Sequence, residues 1–179
     1  MIRLIVILGL VVTVLSSCDA VTPEQCEAGN WREIGLSDGK QGRSAGYVAE
    51  IQKACSKVGV TVDEQAWRAG REAGLKQYCT PQNAYKIGRN GTQLANVCTG
   101  PSVSELNAAN IKGRKYYAIN SEISSLRTRS SDIDTKIFFI GSTTDEEKLK
   151  EIRDLKREQQ KIKTRISDLE IDKISYSAL

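Results

Sequence analysis

The sequence predicts an all-α protein in two parts: a small, disulfide-bonded, glycine-rich helical domain, then an antiparallel coiled-coil helical hairpin. Three observations lead there. Residues 26–113 hold twelve of the fourteen glycines, four of the five cysteines and both tryptophans, whereas residues 114–179 hold one glycine and no cysteine or proline. The second part carries two apolar heptad seams separated by a short break. No stretch sustains the period-two alternation of a half-buried strand.

Residues 1–17 read as an export signal and stand outside the fold. Met1-Ile2-Arg3 is a short positive start, Leu4 to Leu15 is apolar except for Thr13, and Ser16 and Ser17 are small. An apolar run of that length falls short of the roughly twenty residues a membrane-spanning helix needs. Leu15-Ser16-Ser17-Cys18 resembles a lipobox, the bacterial lipoprotein cleavage signal. That resemblance implies a lipid on Cys18, cleavage before it and a tether over 18–25. More than one acyl chain suits stable anchoring, because a single chain binds a bilayer only marginally. Asp19 resembles an inner-membrane retention signal, so the expected place is the cell envelope, facing the periplasm, with the inner membrane favoured over the outer.

Four cysteines remain for the folded part: Cys26, Cys55, Cys79 and Cys98. An even number in an exported chain reads as two disulfides. A four-cysteine zinc site is the alternative, but no closely spaced Cys-x-x-Cys pair is present. Three pairings are open. Cys26–Cys55 and Cys79–Cys98 are favoured, because each then brackets one helical unit. Each closed loop would add roughly 3–4 kcal/mol on the loop-entropy model.

Helix starts in the first part are well marked. Thr22-Pro23-Glu24-Gln25 combines an N-cap, a proline at the first helical position and a capping-box partner. Asp63 caps a helix running through Trp67 and Leu75, Thr80-Pro81 repeats the cap-proline signal, and Ser102 with Glu105 forms another capping box. Gly59 reads as a C-terminal stop. Trp31 to Gly35, Trp67 to Gly70 and Tyr85 to Gly88 share an aromatic, a basic residue and a nearby glycine. Glycines recur at steps of three and four, which puts groups of them on one side of a helix. Each costs roughly 1 kcal/mol relative to alanine, so close packing is expected in return. Asp38-Gly39 reads as a turn or a helix end.

The boundary between the parts is placed near Gly113. Beyond it, Ile119, Ile123, Leu126, Ser130, Ile133, Ile137 and Ile140 alternate steps of four and three. Ile152, Leu155, Gln159, Ile162, Ile166 and Leu169 do the same. A turn over 141–145 lies between them, with Thr143 and Thr144 as caps. Folded there, Leu126 meets Ile162, Ile119 meets Leu169, and the two polar seam positions, Ser130 and Gln159, coincide. One long dimerising helix is the alternative. The matched polar layer and the break favour the hairpin.

Residues 26–117 resemble a family of small proteobacterial lipoproteins known only as domain of unknown function 2799. The stretches that carry the resemblance include Cys26 to Trp31, Gly35-Leu-Ser-Asp38-Gly39, Gly70-Arg-Glu-Ala-Gly74-Leu-Lys-Gln-Tyr78-Cys79, Ala84-Tyr85-Lys-Ile-Gly88 and Gly113-Arg-Lys-Tyr-Tyr117. The resemblance implies lipoprotein character and a helical domain rich in glycine and cysteine. It implies no activity.

The chain has no histidine, which removes the commonest general base and metal ligand. No nucleophile elbow, phosphate loop or metal-ligand cluster occurs, so no cofactor and no enzyme activity are expected. Asp38, Asp63 and Glu72 are the acidic residues nearest the glycines, and each reads as structural. Loss of Arg3 with the leader takes the net charge from +4 to +3, modest and mixed, which with export argues against nucleic acid. Trp31, Trp67, Tyr78 and Tyr85 form either a core over the glycines or an aromatic groove for a cell-wall glycan or peptide. Phe138 and Phe139 lie off the seam at the hairpin tip, where exposed aromatics mark a partner site. The expected function is a non-enzymatic interaction or structural role, with the membrane and another envelope protein as partners. The alternative is a binding module for cell-wall glycan or peptide.

Overall fold

The computed structural model describes residues 20–179, and the leader, Cys18 and Asp19 lie outside them. Among the described residues the chain is helical, with no strand. Seven α-helices follow in order: α1 (Pro23–Ala28), α2 (Trp31–Lys40), α3 (Val48–Ser56), α4 (Glu64–Tyr78), α5 (Pro81–Arg89), α6 (Val103–Ile140) and α7 (Glu146–Ile174). A 3₁₀ turn, Ala45–Tyr47, leads into α3.

Most starts obey local chemistry. Thr22 and Gln25 form the reciprocal capping box of α1. Asp63 Oδ1 accepts the Ala66 N–H at 2.9 Å, and Thr80 Oγ1 accepts that of Asn83 ahead of Pro81. Two expected caps differ. Ser102 sits in helical backbone (φ −79°, ψ −4°) and makes no capping bond, because a capping box needs an extended N-cap residue. At α7 the cap is Asp145, extended at ψ 122°, whose Oδ1 accepts the N–H groups of Glu147 and Lys148. Thr143 instead accepts the N–H of Asp145. Residues 21–25, expected in the tether, are folded: Val21 is buried in the first core and Thr22 caps α1.

The domain is built from two helix pairs, α2 with α4 and α5 with α6. Each pair meets backbone to backbone at glycine. A Cβ on Gly35 or Gly39 would strike the carbonyls of Trp67 or Arg71 on α4, and one on Gly70 or Gly74 would strike those of Arg32 or Leu36 on α2. In the second pair Gly88 faces the Asn110 carbonyl and Gly113 that of Tyr85. Approach this close is open only to residues without a side chain, and it places Cα–H groups against carbonyl oxygens.

The two pairs are copies of one plan. Gly39 and Gly42 correspond to Gly88 and Gly91; Arg71, Gly74 and Tyr78 correspond to Asn110, Gly113 and Tyr117. Both first helices end in the same glycine turn, Gly42 at φ 72° and Gly91 at φ 79°. A side chain at either turn would meet a tyrosine ring, Tyr78 or Tyr117 respectively. The residue after the turn is held alike: Arg71 Nε donates to the Arg43 carbonyl at 2.7 Å, and Asn110 Nδ2 to the Thr92 carbonyl at 3.0 Å. Disulfides close both pairs in the same way. Cys26–Cys55 and Cys79–Cys98 each join a cysteine before the first helix to one in the connector to the second. The expected three-unit repeat of aromatic, base and glycine is therefore replaced by a two-unit repeat of helix pairs, because glycine contact sets the period. Asp38 and Gly39, expected as a turn or a helix end, lie buried inside α2 at the crossing.

The boundary expected near Gly113 falls inside α6, which runs unbroken for 38 residues, about 57 Å. Gly113 is a crossing point and not a linker. The first three turns of α6 pack on α5, and the rest pack antiparallel on α7. Every seam position is buried or half-buried. Ile119, Ile123 and Leu169 form a core with Leu126 and Ile166 beside it. Gln159 Nε2 donates to Ser130 Oγ at 3.3 Å and to Asp134 Oδ1 at 2.7 Å, which fixes the expected register. Exposed pairs such as Arg129–Glu158 and Arg165–Glu122, both 2.9 Å, flank the seam and add little each.

Substitution separates the crossing from ordinary helical glycine. Gly70→Ala should destabilise the domain by at least ~2 kcal/mol despite alanine's better helix propensity, because overpacking here is against backbone. Gly46→Ala, where the nearest atom to a new Cβ is Ser44 Oγ at 3.9 Å, should be neutral or stabilising. Urea unfolding followed by circular dichroism gives both values; equal effects would contradict the crossing.

Candidate interaction surface

The four aromatics divide between two cores. Trp31 and Trp67 lie in the first, with Val48, Ile51 and the Cys26–Cys55 disulfide; Trp67 has no exposed surface. Tyr78 and Tyr85 lie in the second, with Ala84, Leu94 and Leu106. The polar atoms of Trp67, Tyr78 and Tyr85 are used internally. Trp67 Nε1 donates to Asp38 Oδ2 at 2.8 Å, the Ala95 N–H donates to the Tyr78 hydroxyl at 3.0 Å, and the Tyr85 hydroxyl donates to the Tyr176 carbonyl at 2.6 Å. The four residues form no aromatic groove, since they are buried and divided between two cores, and three of them are already hydrogen-bonded. Arg68, next to Trp67 in the chain, pairs with Glu64 at 3.1 Å.

The acidic residues do not converge on a reaction centre. Asp63 is a helix cap and Glu72 is exposed. Asp38 is buried, and burial pushes its carboxyl above the ordinary carboxylate range. The hydrogen bond from Trp67 and the charges of Arg43 and Arg71 oppose that shift without cancelling it. Asn110 was not singled out by sequence. Its buried amide donates to the Ala84 and Thr92 carbonyls and accepts the Leu94 N–H, so it clasps α5 and the following loop to α6. A lone Asn between two helix-forming stretches carries no local signal of such a role.

What the fold leaves outside is more informative. Phe138 and Phe139 end α6 at 79% and 80% exposure, rings 5.8 Å apart and edge-on. Neighbouring Ile140 stays on the seam, half-buried, and Gly141 closes the helix. Unshielded phenylalanines this exposed are not required by packing. A second feature lies on α6 near the domain: an open depression of about 480 Å³ lined by Gly91, Ile111, Arg114, Lys115, Tyr117 and Ala118. No described helix is long and apolar enough to cross a membrane, and no described cluster of His, Cys, Asp or Glu is placed to hold a metal ion.

Fold and surface together define a disulfide-stapled helical domain that extends into a coiled-coil rod. Residues 30–115, the two helix pairs, match the family described as protein of unknown function (DUF2799), and this domain belongs to that family. No curated protein and no solved structure matches it.

Asp38 offers a test with a definite sign. Because the fold raises its pKa, its carboxyl favours folding most at low pH, and that contribution is lost as pH rises through the raised value. Asp38→Asn keeps an acceptor for the Trp67 indole and removes the charge. Its stability relative to wild type should therefore rise from pH 4 to pH 8 in thermal melts. Asp38→Leu, which strands the indole N–H, should cost about 1–3 kcal/mol throughout. A difference between Asn and wild type that does not vary with pH would contradict the burial argument.

Proposed function

We propose that this is an exported, lipid-anchored envelope protein of bacteria that acts by binding and not by catalysis. Cys18 carries the lipid, and Asp19 favours the inner membrane. The disulfide-closed domain stands at the bilayer, and the hairpin offers Phe138 and Phe139 to another envelope protein. The observation that carries the reading is the pair of phenylalanines at the end of a rod that does not need them for its own packing. Export is supported by the leader, by the small residues before Cys18 and by the paired cysteines, since disulfides persist in oxidising compartments. Binding over catalysis is supported by the burial of Asp38 and by the lack of any histidine. The glycan or peptide module loses the aromatic groove on which it rested.

Two measurements check this. Cys18→Ser should abolish fatty-acid labelling and release the chain from the membrane fraction; a wild-type chain that is uncut and unlabelled would reject the anchor. A photoreactive phenylalanine at position 138 should give one discrete heteromeric adduct in cells. That adduct should be lost on Phe139→Ser without change in melting temperature. Adducts insensitive to Phe139 would reject the tip.

A further inference from the structure

The two helix pairs share one plan, but only the first has the end of its second helix covered. On α4, Glu72, Leu75, Lys76 and Cys79 border a depression of about 240 Å³ whose far wall is Val97 and Cys98, from the connector of the second pair. That connector crosses α4 as a non-helical run, residues 93–99. Three contacts seat it. The Ala95 N–H donates to the Tyr78 hydroxyl at 3.0 Å, Cys98 is bonded to Cys79, and Leu75, Ala95 and Val97 pack on the second core.

A step of 39 residues relates Gly74 to Gly113 and Tyr78 to Tyr117. The same step carries Glu72, Leu75, Lys76 and Cys79 onto Ile111, Arg114, Lys115 and Ala118, and these four line the 480 Å³ depression with Gly91 and Tyr117. The two depressions are therefore equivalent places in the repeat. The second is uncovered. At Cys79 the chain turns through Thr80 and Pro81 into another pair, whereas α6 runs on through Ala118 into the rod. Tyr78 is 5% exposed and Tyr117 47%. Ile111, which stands where α4 has a glutamate, is 54% exposed. Among the described residues the Tyr117 hydroxyl makes no hydrogen bond. Charge around the site is mixed: Arg114 and Lys115 line it, and Asp168 and Asp172 are exposed on the stretch of α7 beside it. Shape and backbone hydrogen bonding are left to select what binds.

We infer that this depression binds a non-helical peptide segment of another protein, seated on α6 as residues 93–99 are seated on α4. The segment gives a backbone N–H to the Tyr117 hydroxyl and lays a small aliphatic side chain, the counterpart of Val97, beside Ile111 and Ala118. Main-chain hydrogen bonding supplies affinity in such a mode and the side-chain pocket supplies specificity. A second copy of this chain does not offer its own residues 93–99, because the disulfide closes them onto α4. The site is separate from Phe138 and Phe139, so the two stand or fall independently.

The seated segment itself is the probe. Ala118 is the exposed counterpart of Cys79, so Ala118→Cys in the full chain lets a synthetic peptide of residues 93–99 be captured by disulfide exchange through its own cysteine. In a glutathione buffer, capture should be about tenfold more favourable than at Ser131→Cys, exposed on the hairpin, or than with a scrambled peptide. Mass spectrometry of the adduct checks that both native disulfides are intact. Adding Tyr117→Phe keeps the ring over Gly91 and removes the hydroxyl. It should lower capture about fivefold with no change in melting temperature. Equal capture at both introduced cysteines, or capture indifferent to peptide order or to Tyr117→Phe, would overturn the proposal. So would an Ala118→Cys chain that links to a second copy in preference to the peptide. The wild-type chain gives an independent reading: the same peptide with serine for its cysteine should shift the amide resonances of Gly91 and Ile111 but not that of Gly42, and unchanged spectra would count against the site.

Discussion

Two helices can bring their backbones into contact only where both surfaces lack Cβ atoms. In this protein that condition is met by Gly35, Gly39, Gly70 and Gly74 in one helix pair and by Gly88 and Gly113 in the other. Each glycine weakens its own helix by roughly 1 kcal/mol relative to alanine. The return is close van der Waals contact along the crossing and Cα–H groups aimed at carbonyls. Short helices such as α2 and α5, ten and nine residues long, would be marginal alone. They persist because a partner helix lies against them and a disulfide shortens the unfolded chain that leads to it.

The same constraint explains the rest of the architecture. The tight crossings leave narrow margins, filled by Trp67 and Ile51 in one unit and by Ala84 and Leu106 in the other. Because α6 is both the second helix of the second pair and the first arm of the hairpin, the rod is a continuation of the domain and not a tethered appendage. The Tyr85 hydroxyl on the carbonyl of Tyr176 ties the far end of α7 back to the same pair. The exposed phenylalanines at the tip are thus held a fixed distance from the domain.

Legibility in the sequence followed the range of the interaction that decided each feature. The heptad seams, the Ser130–Gln159 layer and the caps at Thr22, Asp63 and Thr80 rest on neighbours within a turn or on a sustained period, and these were readable. The disulfide pairing followed from which cysteines bracket a helix. Asp38-Gly39 looked like a turn because Asp-Gly favours one locally, yet the approach of α4 holds both residues in a helix. Gly113 looks like a boundary because composition changes there, yet α6 runs through it unbroken. The aromatics were seen as one cluster, but which core each enters depends on helix pairing, to which spacing is blind. The tip phenylalanines stand out in the sequence as off-seam residues.

The most direct test of the central claim is a nuclear Overhauser measurement on the oxidised chain. If the backbones touch, Hα–Hα cross-peaks should join Gly39 to Gly74 and Gly88 to Gly113, distances that only contacting helix backbones permit. Absence of both, with the helices intact by chemical shift, would mean that side chains hold the pairs apart, and the account given for this fold would be contradicted.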